Sequence, residues 1–355
     1  MSARGRFAGA TSSPPERTRA RSGRALPRHG VGIALLLVQL GPALVLAALW
    51  IAMSFASQYF LTSINVSNLL QASAVVAVLA VGQLLVILTG GIDLSAGAAV
   101  ALATIVGGKF AHGVTDDGVV VVLVMLATGG AVGVLNGVLV EGLRLGSSFV
   151  VTLGVLSIAT GAGYVISGGG TIVGMPQLVQ SIGSDKVGSV PVSTFVVLAV
   201  AASALALTLR IAWGRWIYAL GGSREAASRA GIPVRLVSLS VFVCSGLAAG
   251  VAGVFSAGLT DAGAPAAGFN SELDAISAVV IGGAALTGGR GTVFGALVGA
   301  LILGTIHNGL NLLSVDTNWE PIVLGGVLIF ALGMDRVRER LELRLRLASA
   351  RGQEE

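Results

Sequence analysis

The sequence predicts an all-α polytopic membrane protein, on three observations. Hydrophobic residues fill 54% of the 355 positions and charged residues only 11%, against roughly one quarter charged in soluble domains. Apolar runs close to the ~20 residues that a spanning helix needs recur along the chain, separated by short pieces rich in Gly, Ser, Asp or Arg. The basic residues fall almost wholly in alternate connecting segments. Glycine is abundant at 52 residues and aromatic residues make up only 5%, which suits helices packed through small-residue faces rather than a barrel girdled by aromatic rings.

Taken in order, residues 1–30 hold Arg4, Arg6, Arg17, Arg19, Arg21, Arg24 and Arg28 among Ser, Gly and Pro, the composition of a disordered basic tail. The apolar run from Val31 to Met53 exceeds the about 7–15 residues of a signal-peptide core and reads as a retained first span. Spans are predicted at about 31–53, 67–88, 95–110, 118–140, 148–167, 190–211, 236–259, 273–286, 293–313 and 319–334, about ten in all. With the amino terminus inside, twenty of the 22 Lys and Arg residues fall on the cytoplasmic side; Lys109 and Lys186 lie opposite, beside Asp116, Asp117, Asp185, Asp261, Glu272 and Asp316. That is the positive-inside pattern, and it places both termini in the cytoplasm. The transmembrane domain is thus 31–334. Residues 335–355 form a cytoplasmic carboxyl-terminal tail whose Asp335–Arg351 stretch alternates Leu or Val with Arg and Glu, as a basic helix lying on lipid would. The formal net charge of +5 is explained by the anionic inner leaflet and calls for no nucleic acid. The single cysteine, Cys244, sits in an apolar run and offers neither a disulfide nor a thiolate cluster.

The longest cytoplasmic loop, at about 214–233, is too polar to cross lipid yet is patterned as a short helix. Ser223 is a suitable N-cap, Ala226 and Ala227 favour helix, and Gly231 followed by Pro233 supplies a stop. A helix this short is marginal alone in water, so a partner's groove is expected to hold it. In the same loop, Gly214-Arg215 leads through Ala219 and Gly221 to Ala226-Ala227 and Gly231-Ile232. This resembles the coupling segment of ABC-importer permeases of the ribose/xylose type, within the branched-chain amino acid/monosaccharide permeases. Those permeases often carry Asn where Ser223 stands here. Thr89-Gly90-Gly91-Ile92-Asp93-Leu94-Ser95-Ala96-Gly97 is similar to their Gly-Gly-Ile-Asp-Leu-Ser signature, and the stretch Ile281 to Gly295 to their Gly-rich turn. With Leu135-Asn136-Gly137 the resemblance covers about 67–334.

What the resemblance implies is an ABC importer permease fold in a bacterial cytoplasmic (inner) membrane. It implies a cytoplasmic ABC ATPase that uses ATP and Mg, an external or periplasmic solute-binding protein, and a second permease copy. No cofactor is expected on this chain. The coupling residues would be Arg215, Ser223, Arg224, Glu225, Ala226, Ala227, Arg229 and Gly231. The solute would be a monosaccharide such as a pentose or hexose, or else a nucleoside or another small polar molecule.

Polar residues inside apolar runs are candidates for the solute pathway: Gln83, Asn136, Thr152, Ser157, Asn308 and Asn311. Amides and hydroxyls bind sugar hydroxyls without needing a charge, but the same groups also fasten helices together. Asp93, at the edge of a span, is a functional candidate by its charge or a cap for the helix opening at Leu94, and no other carboxylate lies clearly within a span. Gly90, Gly91, Asp93 and Ser95 form one structural turn and Gly288, Gly289 and Gly291 another. Both are expected at cytoplasmic helix ends, either as close packing or as broken helices marking a transport site. A Walker motif is absent because Lys109 and Lys186 precede Phe and Val. His307 has only His29 and His112 for company, in other segments, so no metal site is expected. A stand-alone ion-coupled carrier and an intramembrane enzyme are the rival classes; the enzyme would need a nucleophile with its base, or a metal pair, and neither pattern is visible.

Overall fold

The computed structural model describes residues 40–143, 147–330 and 333. The expected tails at 1–30 and 335–355, and the beginning of the first predicted span, lie outside the described residues.

The chain is a bundle of helices with two small ribbons. After α1 (Gly41–Ala56) come α2 (Ser63–Leu88), α3 (Ala96–Gly113), α4 (Gly118–Gly142) and α5 (Ser148–Ser167). A loop follows with β1 (Ile172–Val173), the short α6 (Gln177–Ser184), and β2 (Lys186–Val187) paired with β3 (Val190–Pro191). Then come α7 (Val192–Arg210), α8 (Ala212–Gly222), α9 (Arg224–Arg229) and α10 (Val234–Thr260). The chain continues through β4 (Ala262–Gly263), antiparallel to β1, to α11 (Ser271–Ile281), α12 (Val293–Leu312) and α13 (Glu320–Phe330). Six of these helices, α2, α4, α5, α7, α10 and α12, are long and apolar enough to cross a membrane.

Side-chain caps define several helix starts. Thr62 accepts from the Asn65 N–H, Asp117 from those of Val119 and Val120, and Thr292 from that of Gly295, each answering a donor that the first helical turn leaves open. Helix α5 stops at Gly168, whose φ of +68° suits a residue without a Cβ.

Helices α2 and α10 form the centre and are buried along most of their length, whereas α4, α5 and α7 leave apolar faces outward. The most extensive seam runs between α4 and α10. Gly129, Gly133 and Gly137 of α4 lie directly against the backbone of α10 around Leu239, Phe242, Gly246 and Gly250. A Cβ at Gly137 would sit 2.9 Å from the Leu239 Cα, and one at Gly246 2.8 Å from the Gly133 N. In lipid, where apolar burial gives little drive for helix association, this approach gains dispersion contact that larger residues would forfeit.

Replacing Gly133 by Leu, which drives a side chain into the Phe242 carbonyl, is expected to lower the thermal unfolding midpoint in detergent, at an overpacking cost of about 1–3 kcal/mol. Gly161→Leu, on α5 where a Cβ meets nothing within 4 Å, should leave the midpoint unchanged.

Candidate functional site

Two regions hold the chemistry: a polar turn inside the bundle, and a pair of short helices at the end of the bundle from which α10 rises.

The turn links α2 to α3. Its glycines let the chain reverse, Gly90 taking a φ of +81°, and the segment then runs back up beside α2. Asp93 is only 1% exposed. Its Oδ1 accepts from the Ser95 N–H at 2.9 Å and the Ser95 hydroxyl at 2.8 Å, and from the Asn136 amide at 3.3 Å. Its Oδ2 accepts from the Ser245 hydroxyl at 2.8 Å. With its amide turned to suit both partners, Gln83 donates to the Asp93 carbonyl at 3.2 Å and accepts from the Asp93 N–H at 3.1 Å. Thr152 accepts from the Leu94 N–H and donates to the Ile92 carbonyl, both at 3.1 Å, and Ser148 accepts from the Ile92 N–H at 3.0 Å.

These partners fix the depth of the turn. At 1.5 Å per residue, Gln83 lies about 7 Å inside the end of α2, Asn136 about 9 Å inside that of α4, and Ser245 about 16 Å from the start of α10. The expectation of a turn at the helix ends is therefore corrected for Asp93: Gly90 and Gly91 are at the end, but the carboxylate re-enters the bundle. The reason is backbone chemistry. Five main-chain groups after α2, the N–H groups of Ile92, Asp93 and Leu94 and the carbonyls of Ile92 and Asp93, are paired by side chains of α2 and α5, as backbone away from water requires. As a cap, Asp93 serves the Ser95 N–H rather than a helical residue, since α3 begins at Ala96.

Of the pathway candidates, Gln83, Asn136 and Thr152 are gathered here and are fully buried. Ser157 faces outward on α5 and donates to its own Leu153 carbonyl. Asn308 exchanges two hydrogen bonds with Asn65, at 2.8 and 3.0 Å, about 27 Å along α2 from Gln83. Asn311 is exposed nearby. Ser148 and Ser245 were not singled out from the sequence, where serine in an apolar run is too common to signal a role. His307 meets the Glu320 carboxylate through Nδ1.

The loop predicted at about 214–233 holds two helices: α9 is the predicted short helix, and α8 precedes it. In α8, Gly214, Ile217 and Leu220 are buried at helical spacing, with Trp213 and Trp216 packed against the core, so aromatic and aliphatic residues anchor a segment that reads as polar overall. Tyr218 donates to the Gly291 carbonyl at 2.9 Å; burial raises its phenol above the usual value and keeps it a donor. Ser223 caps α9 by accepting from the Ala226 N–H at 3.2 Å, and Gly231, with φ +79°, closes it. Arg215 on α8 is exposed. On α9, Ala227 alone is buried, while Arg224, Glu225, Ala226 and Arg229 are exposed. Arg224 pairs at 2.6 Å with Glu141 of α4, and the two line a cavity of about 530 Å³ together with Gly90, Gly91, Ser148, Arg235 and Ser238.

Against known proteins, residues 65–332 match the family model described as branched-chain amino acid transport system / permease component. The chain belongs to this permease family. Over 284 residues, 80% of this chain and 87% of the relative, the permease is 38% identical to the D-allose transport system permease protein of Escherichia coli strain K12. It is 36% identical over 301 residues to the ribose import permease protein of Bacillus subtilis strain 168, covering 84% of this chain and 92% of that one. It is 33% identical over 310 residues to the L-arabinose ABC transporter permease protein of Azospirillum brasilense, covering 86% and 90%. No solved structure matches the chain. The permease is a multi-pass protein of the cytoplasmic membrane.

Asp93→Ala removes the acceptor for Ser95 and Ser245, while Asn136 keeps its 2.7 Å bond to the Ser95 hydroxyl, and leaves buried donors unpaired at about 1–3 kcal/mol each. The purified permease is expected to lose thermal stability markedly, measured by unfolding in detergent, whereas Asp93→Asn, which keeps one acceptor oxygen, should lose less.

Proposed function

We propose that this chain is the membrane-spanning subunit of an ATP-driven, binding-protein-dependent importer for a monosaccharide, a pentose or a hexose. The observation that carries the reading is agreement among relatives: proteins named for D-allose, ribose and L-arabinose each align over at least four-fifths of this chain. The arginine distribution supports about ten crossings with both termini cytoplasmic, six of them by helices long and apolar enough to cross a membrane. Two copies would enclose the pathway, and an external solute-binding protein would deliver the sugar.

ATP and Mg would be consumed by a separate cytoplasmic ATPase. Helix α9 is its expected contact, because its charged face is exposed while Ala227 pins it to the bundle. ATP-driven movement of the ATPases would be passed to the spans as a rigid-body switch between two openings. Asp93 is the kind of intramembrane carboxylate an ion-coupled carrier would use. Yet both of its oxygens are occupied by donors of the protein, which supports a structural turn and not a travelling ion's site.

The double replacement Glu225→Ala/Arg229→Ala, which spares the Ser223 cap, is expected to cut co-purification of the ATPase about tenfold, equivalent to ~1.4 kcal/mol of binding, and to cut uptake with it. Undiminished association and uptake would refute the coupling role of α9. For the solute, uptake of a labelled monosaccharide panel should disappear for one pentose or hexose when the chain is deleted from its native strain. Retention of all sugar uptake would refute the sugar reading.

A further inference from the structure

At the end of α2 three segments meet with little but backbone between them. A Cβ on Gly221, the penultimate residue of α8, would overlap the Leu88 carbonyl oxygen and crowd the Gly289 N. Gly288, at φ +92°, lies against both others: its Cβ would be 2.9 Å from the Gly90 N and 3.0 Å from the Gly221 Cα. The Gly289 N–H donates to the Leu88 carbonyl at 2.9 Å, and Tyr218 ties α8 to Gly291 of the same loop. Gly90 is the root of the buried turn, since two residues on, Ile92 is already held by Ser148 and Thr152. Where backbone rests on backbone no side-chain rotamer can absorb a displacement, and close-packed protein passes it on. On the other flank, Gly90 and Gly91 border the cavity of about 530 Å³, which the Arg224–Glu141 pair also lines. Helix α9 therefore has a stiff root and open space beside it.

We propose that Gly221, seated against Leu88, Gly288 and Gly289, with Gly288 in turn against Gly90, is the mechanical link that carries movement of α9 to the Asp93 turn and through it to α4, α5 and α10. These glycines are positioning residues for transport and are not needed for the ATPase to dock. The inference rests on the coupling reading of α9 given above.

The test uses the whole transporter, purified with its ATPase and reconstituted with its binding protein and sugar. Three readouts are taken: ATPase co-purification, ATP hydrolysis, and sugar taken up per ATP. Gly221→Ala is expected to keep the ATPase and to hydrolyse ATP, while uptake per ATP falls about tenfold, within the usual range of coupling between sites. Gly142→Ala, at the end of α4 where a Cβ meets nothing within 4 Å, should match the wild type. Uptake per ATP unchanged in Gly221→Ala, or reduced equally in Gly142→Ala, overturns the link. Should Gly221→Ala fail to accumulate, Tyr218→Phe removes only the hydroxyl bond to Gly291: a reduced uptake-to-ATP ratio at an unaltered unfolding midpoint supports the link, and an unaltered ratio overturns it. A wild-type chain that co-purifies with no ATPase overturns the importer reading itself, and the link with it.

Discussion

Away from water, a backbone that leaves the helical ladder must find every hydrogen-bond partner within the protein. The segment from Thr89 to Ser95 does leave it, deep in an apolar bundle, and carries a carboxylate along. Much of the bundle's polar chemistry is the answer to that break. Gln83 takes both main-chain groups of Asp93, Thr152 and Ser148 take those of Ile92 and Leu94, and Asn136 and Ser245 take the carboxylate itself. Four long helices are thereby tied to one turn, and α10 is held at the centre of the bundle.

Such short side chains reach the turn only if the helices that carry them come close. Each of three clasping residues has glycine as its chain neighbour: Gly82 beside Gln83, Gly137 beside Asn136, and Gly246 beside Ser245. At each of these glycines a Cβ would crowd the facing helix, as at Gly82, where it would lie 2.7 Å from the Ala248 Cβ. Glycine costs helix propensity, but in lipid the close approach gives both dispersion contact and hydrogen-bond reach. The α4–α10 seam and the polar clasp are one device, since the glycines bring up the donors and the donors hold the glycines in contact.

The same economy shapes the end of the bundle from which α10 rises. Helix α8 is an anchor, buried through Gly214, Ile217 and Leu220, and α9 is a presented surface with Ala227 as its only buried side chain. Dividing the segment in this way lets one part belong to the core and the other face a partner. The anchor meets the end of α2 backbone to backbone, Gly221 against the Leu88 carbonyl, and Gly288 sits between Gly221 and Gly90 at the start of the buried turn.

The six long apolar helices were legible in the sequence because hydropathy over some twenty residues is a one-dimensional signal that lipid imposes directly. The cap and stop of α9, Ser223 and Gly231, were legible for the same kind of reason, since each acts on its own few residues. Helix α8 was hidden because its anchoring Trp213, Ile217 and Leu220 are diluted by glycine and arginine. Asp93 was visible as an anomaly, but its depth was not: hydropathy reports how apolar a run is, not whether the chain turns back into the bundle. Gln83, Asn136 and Thr152 could be picked out singly, yet that they converge on one turn, while Asn308 pairs with Asn65 far along α2, depends on helix packing that brings residues tens of positions apart within 3 Å. Hydropathy and charge along the chain were enough to locate the long apolar helices and the basic segments between them, because those follow from local solvation. Only the tertiary structure decided what the polar residues hold, because a hydrogen bond in the interior is set by which helices the glycines allow to touch.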